Sequence, residues 1–137
     1  MYRALALLSV AACIAACSTI PLPVAQTKSV DSQFVLTEKY ALAREGTQPI
    51  TVVRNAGAFV AGGASRYIIT VDGVRVASLA PAEHVLLNLP KGEHVLGVSN
   101  GLFPADTLQS VAITVPTRIA LYRIDSTSPA PLQPAYE

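Results

Sequence analysis

Ile69-Thr70-Val71-Asp72-Gly73-Val74-Arg75-Val76 decides the fold class. Apolar and polar side chains alternate on both sides of Asp72-Gly73, a dipeptide that accepts positive φ at both positions and therefore closes a two-residue type I′ turn. Folding the chain there sets Val71 opposite Val74, Ile69 opposite Val76 and Tyr67 opposite Ser78. The aliphatics and Tyr67 then share one face that must be covered, while Arg66, Thr70 and Arg75 fall on the wet side. Turn chemistry and burial pattern agree, which marks a pair of strands.

The same period of two continues outward from this hairpin through residues 50–54, 66–72, 74–79, 83–89, 93–100, 108–115 and 118–125. About seven strands at even spacing predict an all-β chain folded as a small antiparallel β-sandwich. A second hairpin is expected at Pro90-Lys91-Gly92, where a Lys91-Gly92 loop puts Val85, Leu87 and Leu89 on one face with His94, Leu96 and Val98. Residues 34–46 read two ways. Thr37 caps a short helix running to Glu45, with Gly46 just past its end, or residues 34–37 form a strand.

A chain of 137 residues that is 51% apolar holds one domain with its own core. After the N-terminal segment no stretch approaches the ~20 apolar residues of a spanning helix. Met1-Tyr2-Arg3 gives a positively charged start, Ala4 to Ala12 an apolar core of signal-peptide length, and Ala15-Ala16 the small residues that a signal protease requires. The run ends in Ile14-Ala15-Ala16-Cys17-Ser18, which resembles the lipobox of bacterial lipoproteins, and the resemblance makes Cys17 the lipidated residue. An ordinary secretory signal cut elsewhere is the competing assignment.

Cys13 leaves with the signal, so the mature chain keeps one cysteine and forms no internal disulfide. Ser18, not Asp, follows the cysteine, and for a Gram-negative source the resemblance then implies the outer membrane, facing the periplasm. The expected organisation is a signal peptide over 1–16, a lipidated cysteine and flexible tether over 17–32, the sandwich over 33–125, and a Pro-rich disordered or polyproline-like tail over 126–137. A tether of some 15 residues would have a root-mean-square span of roughly 20 Å.

Val52-Val53-Arg54, the small-residue loop 55–65, Asp72-Gly73, Leu79 and Pro90-Lys91-Gly92-Glu93-His94 follow one another in an order that resembles a bacterial lipoprotein family of unknown function. That family is itself similar to PEGA-type surface modules. The resemblance covers roughly residues 50–125 and implies a β-sandwich on a lipid anchor, without catalytic residues to carry over. Lys91 between Pro90 and Gly92, and Ala82-Glu83-His84 in place of a Gly-aromatic pair, depart from the family's pattern.

Without residues 1–16, nine basic and nine acidic side chains are left, spread singly. No basic stripe with stacking aromatics is present, which sets nucleic acid aside as a partner. The expected hairpin register holds His84 and His94 about 13 to 16 Å apart, too far to share an ion. Glu83 and Glu93 read as solvated rim charges, and Gly57 to Ser65 lacks the lysine of a phosphate loop. No cofactor, metal or catalytic residue is therefore assigned. The apolar loop around Phe59 and Val60 is a candidate contact for a partner protein or the membrane surface, against the simpler outcome that both side chains tuck into the sandwich end. The function expected is a non-enzymatic binding or scaffold module of the cell envelope. A subunit anchoring a secretion or transport assembly is the alternative, and an envelope hydrolase stands behind both.

Overall fold

The computed structural model describes residues 18–57, 66–100 and 107–136. The strands are β1 (Thr19–Ile20), β2 (Lys28–Ser29), β3 (Thr47–Arg54), β4 (Ala56–Gly57), β5 (Tyr67–Val71), β6 (Val74–Leu79), β7 (Glu83–Pro90), β8 (Gly92–Ser99), β9 (Thr107–Val115), β10 (Leu121–Ile124) and β11 (Leu132–Ala135). Helical structure among the described residues is confined to two 3-10 turns, Val24–Gln26 and Ser32–Phe34. The fold is all-β, as the alternation predicts.

Two sheets face each other, one ordered β11-β10-β3-β7-β2 and the other β6-β5-β8-β9, and β1 with β4 forms a small two-stranded extension. The core lies between them. Ile50 and Val52 of β3, Val85, Leu87 and Leu89 of β7 and Ile124 of β10 meet Ile69 and Val71 of β5, Val76 and Leu79 of β6, and Leu96 and Val98 of β8.

The Asp72-Gly73 turn forms as predicted, with φ of 53° and 77°. Val71 pairs with Val74, but a bulge between Ile69 and Thr70 then shifts the register, so that Ile69 faces Ala77 and Tyr67 faces Leu79. One extra residue on β6 increases the local twist and keeps both Val76 and Leu79 in the core.

The second hairpin is not one. β7 pairs with β3 and β8 with β5 and β9, so the chain changes sheets at Pro90-Lys91-Gly92. Gly92, with φ of 133°, makes the corner. The predicted face of Val85, Leu87, Leu89, His94, Leu96 and Val98 is buried throughout, yet its two halves oppose one another across the core. Alternation fixes which side chains are inside and is silent on whether adjacent strands share a sheet.

Three further expectations are corrected. Residues 37–45 form turns instead of a helix, although Gly46 does take a left-handed φ of 77°. The Pro-rich tail is not solvated along its length: Leu132–Ala135 pairs antiparallel with β10, and Leu132 enters the core. Pro134 is tolerated because β11 is a sheet edge. The tether, too, is structured. β1 pairs with β4, Arg123 Nη1 donates to the Leu22 carbonyl (2.7 Å), β2 pairs with β7, Val35 bridges Ala77 of β6, and Tyr40 is buried. Residues 18–46 are a strap that crosses the outside of one sheet and closes the side where the β7 and β6 edges lie open.

Candidate functional site

Strand directions define two ends of the sandwich. Arg54 of β3, Glu83 of β7, Ile124 of β10 and Leu132 of β11 share one end, and Ser99 of β8 and Thr107 of β9 reach the same end of the other sheet. We call it the proximal end. Thr47, Pro90, Gly92 and Val115 mark the distal end.

β4 continues β3 outward past Arg54, and Thr19 pairs with Gly57, its outermost residue. Among the described residues, the chain therefore joins the fold at the proximal tip, with Ser18 one position before the Thr19–Gly57 pair. Thr19 Oγ1 donates to Asp125 Oδ1 (2.8 Å) and fastens this entry to the end of β10. Burial would raise the Asp125 pKa, but hydrogen bonds from the Thr127 side chain and amide and from Thr19 outweigh it and hold the carboxyl below its ordinary value. Cys17 lies outside the described residues, one position before Ser18, as do Phe59 and Val60 in the connection that follows Gly57.

Just inside the tip lies a polar cluster that the sequence did not reveal. Arg54 continues the inward alternation of Ile50 and Val52, is 3% exposed, stacks 4.5 Å above the Tyr67 ring and donates to the Leu79 carbonyl at 3.0 Å. Desolvation lowers its pKa. Beside it, Arg66 stacks on Phe34 (3.5 Å) and donates to the Ser78 carbonyl (2.6 Å) and to Glu83 Oε2 (2.5 Å), which also accepts the Ala80 amide (2.9 Å). Glu83 is thus a buried ion-pair partner and not a rim charge, which corrects its sequence reading. The group fixes the β6-to-β7 crossing and the second 3-10 turn of the strap, Ser32–Phe34. Chemically it is a cation cluster neutralised by one carboxylate and by carbonyls, with each acceptor pair directed at structure.

At the distal end, Asp72 at the first hairpin turn holds His94 of β8. Imidazole Nδ1 lies 2.8 Å from Asp72 Oδ2 and Nε2 lies 2.8 Å from the Pro90 carbonyl, while the Val95 amide donates to Asp72 Oδ1. Both ring nitrogens face acceptors, so the imidazolium satisfies the site and either neutral tautomer leaves one contact unmade. Burial alone would lower the His94 pKa. The hydrogen bonds to Asp72 and Pro90 and the Asp72 charge outweigh it, against a smaller opposing effect from Lys39, and the value is raised. Asp72 is lowered: its own burial opposes this and the bonds from His94 and Val95 prevail. His84, on the other sheet, meets Thr27 Oγ1 of the strap through Nδ1 at 2.8 Å. The two histidines are thus separate structural ties. Among the described residues no group of three or more His, Cys, Asp or Glu side chains is placed to hold a metal ion.

Three of the four sheet edges are occupied or blunted. β2 and Tyr40 cover parts of β7, Val35 and Leu36 bond β6, and β11 is four residues long and carries Pro134. β9 differs. It spans nine residues, Thr-Leu-Gln-Ser-Val-Ala-Ile-Thr-Val, without charge or proline, and among the described residues no strand pairs with its outer side. Comparison with protein-family models, with curated proteins and with solved structures finds no match to this chain.

Proposed function

We propose that this protein is a lipid-anchored, non-enzymatic adaptor of the bacterial cell envelope, held to the membrane through Cys17 and binding a partner protein by adding an extended segment to the outer edge of β9. The observation that carries the reading is the contrast among the edges. A long, uncharged edge strand is a ready template for pairing, and proteins ordinarily protect such strands. Here the other three are protected, and among the described residues no strand covers β9. The sequence supports the anchor through Ile14-Ala15-Ala16-Cys17-Ser18 and the likeness to PEGA-like lipoprotein modules, and for a Gram-negative source it favours the periplasmic face of the outer membrane. Phe59 and Val60 are proposed as an accessory contact.

The polar clusters favour binding over catalysis, because Arg54, Arg66, Glu83, Asp72 and His94 are each committed to holding strands or turns together.

Two measurements test the reading. Palmitate labelling is expected in the native chain and lost in Cys17→Ser; equal labelling of both removes the anchor. Photo-crosslinkers placed at the exposed Ser110 and Thr114 are expected to capture one discrete partner in cells, and Ala112→Pro, at a position whose amide faces away from β8, to abolish that capture while the fold survives. Capture that persists in Ala112→Pro removes the edge as the binding surface.

A further inference from the structure

We infer that the proximal tip, formed by Ser18, Thr19, Ile20, Gly57 and the 126–130 turn, rests directly on the lipid headgroups, so that the sandwich stands on end with its distal end farthest from the bilayer. The inference rests on the proposed acylation of Cys17 and adds to it an orientation and a contact surface. A flexible tether would let the domain tumble about its anchor. The strap removes that freedom: Thr19 is already paired with Gly57 and hydrogen-bonded to Asp125, so Ser18 alone separates the cysteine from the fold. Two residue steps span at most about 7 Å, against the roughly 20 Å of a loose 15-residue linker. Acyl chains entering the bilayer at position 17 therefore bring the tip to the headgroup layer.

The chemistry of the two ends agrees with this placement. The tip presents Ser18, Thr127, Pro129, Ala130 and Ile20, which is 55% exposed. Among the described residues, the charged groups near it have partners: Asp125 is bonded by Thr19 and Thr127, Arg123 bonds the Leu22 carbonyl and Arg66 bonds Glu83, while Lys28 and Asp31 pair with each other at the surface. The described residues of the tip, Ser18, Ile20, Thr127, Pro129 and Ala130, are uncharged and enter an interface without desolvating a charge. The distal end carries exposed Arg44, Glu45, Lys91, Glu93 and Arg118, which keep their hydration there. Between the ends, an eight-residue strand such as β7 covers about 26 Å at ~3.3 Å per residue, so the difference is measurable.

The chain contains no tryptophan, which permits single-tryptophan reporters. Ile20→Trp, Thr127→Trp and Lys91→Trp, all at exposed positions, are to be made in the full, lipidated chain. Each is purified and reconstituted into phosphatidylethanolamine–phosphatidylglycerol vesicles containing a headgroup-nitroxide lipid. Quenching is expected to be several-fold stronger at positions 20 and 127 than at 91. Equal quenching at the three positions in vesicle-bound protein, or stronger quenching at 91, overturns the orientation while leaving the anchor intact. Protein that carries no acyl label and fails to float with the vesicles overturns the anchor itself, and the orientation with it.

Discussion

Replacing Tyr40 by Ala distinguishes a strap from a linker, because a linker residue contributes nothing to stability and Tyr40 is 3% exposed within the core cluster. An aromatic side chain buries 150–250 Å², worth about 4–6 kcal/mol at ~25 cal/mol per Å². Compactness of the unfolded chain reduces this by 10–40%, and part of the site collapses, which leaves about 3 kcal/mol for Tyr40→Ala. The backbone ties survive the substitution, since it is the Tyr40 carbonyl that accepts the Asn88 amide (2.8 Å). A domain of this size has roughly 5–15 kcal/mol in total, so the loss is large without being fatal. Urea unfolding of the unlipidated Cys17→Ser protein reads it as a fall in midpoint of about 1–3 M for slopes of 1–3 kcal/mol/M. Leu42→Ala, two residues on and 67% exposed, is the control and is expected to stay within about 0.5 kcal/mol of the parent. If the two variants unfold at the same midpoint, residues 18–46 are not part of the folded body and the reasoning about the strap fails.

The His94–Asp72 tie makes stability depend on pH in a stated direction. The folded His94 pKa lies above its ordinary 6.5, so its contribution is fully present below 6.5 and is lost as pH rises through the folded value; urea midpoints should fall across that window, and His94→Asn should flatten the fall. Asp72 acts oppositely, its contribution present above 3.8 and lost as pH drops through the lowered folded value. Glu83→Gln is expected to cost about 2 kcal/mol, at the lower side for a buried pair because Arg66 keeps the Ser78 carbonyl and the Phe34 ring; an unchanged midpoint would show the pair to be idle. Gly97→Ala places a Cβ on Thr70 Oγ1, so it should destabilise by about 1–3 kcal/mol, and adding Thr70→Ala should recover at least half; additive losses would refute the close approach.

Local signals made the seven principal strands readable. Asp72-Gly73 admits few conformations other than the turn it forms, and alternation placed Leu87, Leu89, Leu96 and Val98 inside without reference to topology. What it could not supply was pairing across distance. Nothing in Pro90-Lys91-Gly92 separates a hairpin from a change of sheet, and nothing near Leu121 announces that β10 pairs parallel with β3. The strap and β11 were misread for a compositional reason. Proline and hydroxyl residues suggest solvated chain, whereas burial of a few residues, Tyr40, Val30 and Leu132, is enough to dock a segment whose backbone finds waiting strand edges. The ion pair of Arg66 and Glu83 left no trace either, since charges 17 residues apart meet only once β6 and β7 are placed in different sheets.

The treatment of the edges connects fold to function. An open sandwich has four edges, and burying one requires chain that makes main-chain hydrogen bonds without needing a core of its own. Residues 18–46 do this for β7 and β6 on one side. On the other, β11 brings Leu132 against β9, where its amide donates to Gln109 Oε1 (2.7 Å), a side-chain contact that leaves the β9 main chain unpaired by β11. Covering β9 as well would have needed only one more short strand, and a lysine or proline within it would have discouraged pairing at little cost to the core, because alternate β9 side chains face solvent. Among the described residues no such strand is present, and β9 contains neither lysine nor proline. β9 runs from the proximal end to the distal one, about 30 Å of uncharged strand, nine residues at ~3.3 Å each, and in the proposed orientation an extended segment paired with it would lie along the membrane normal.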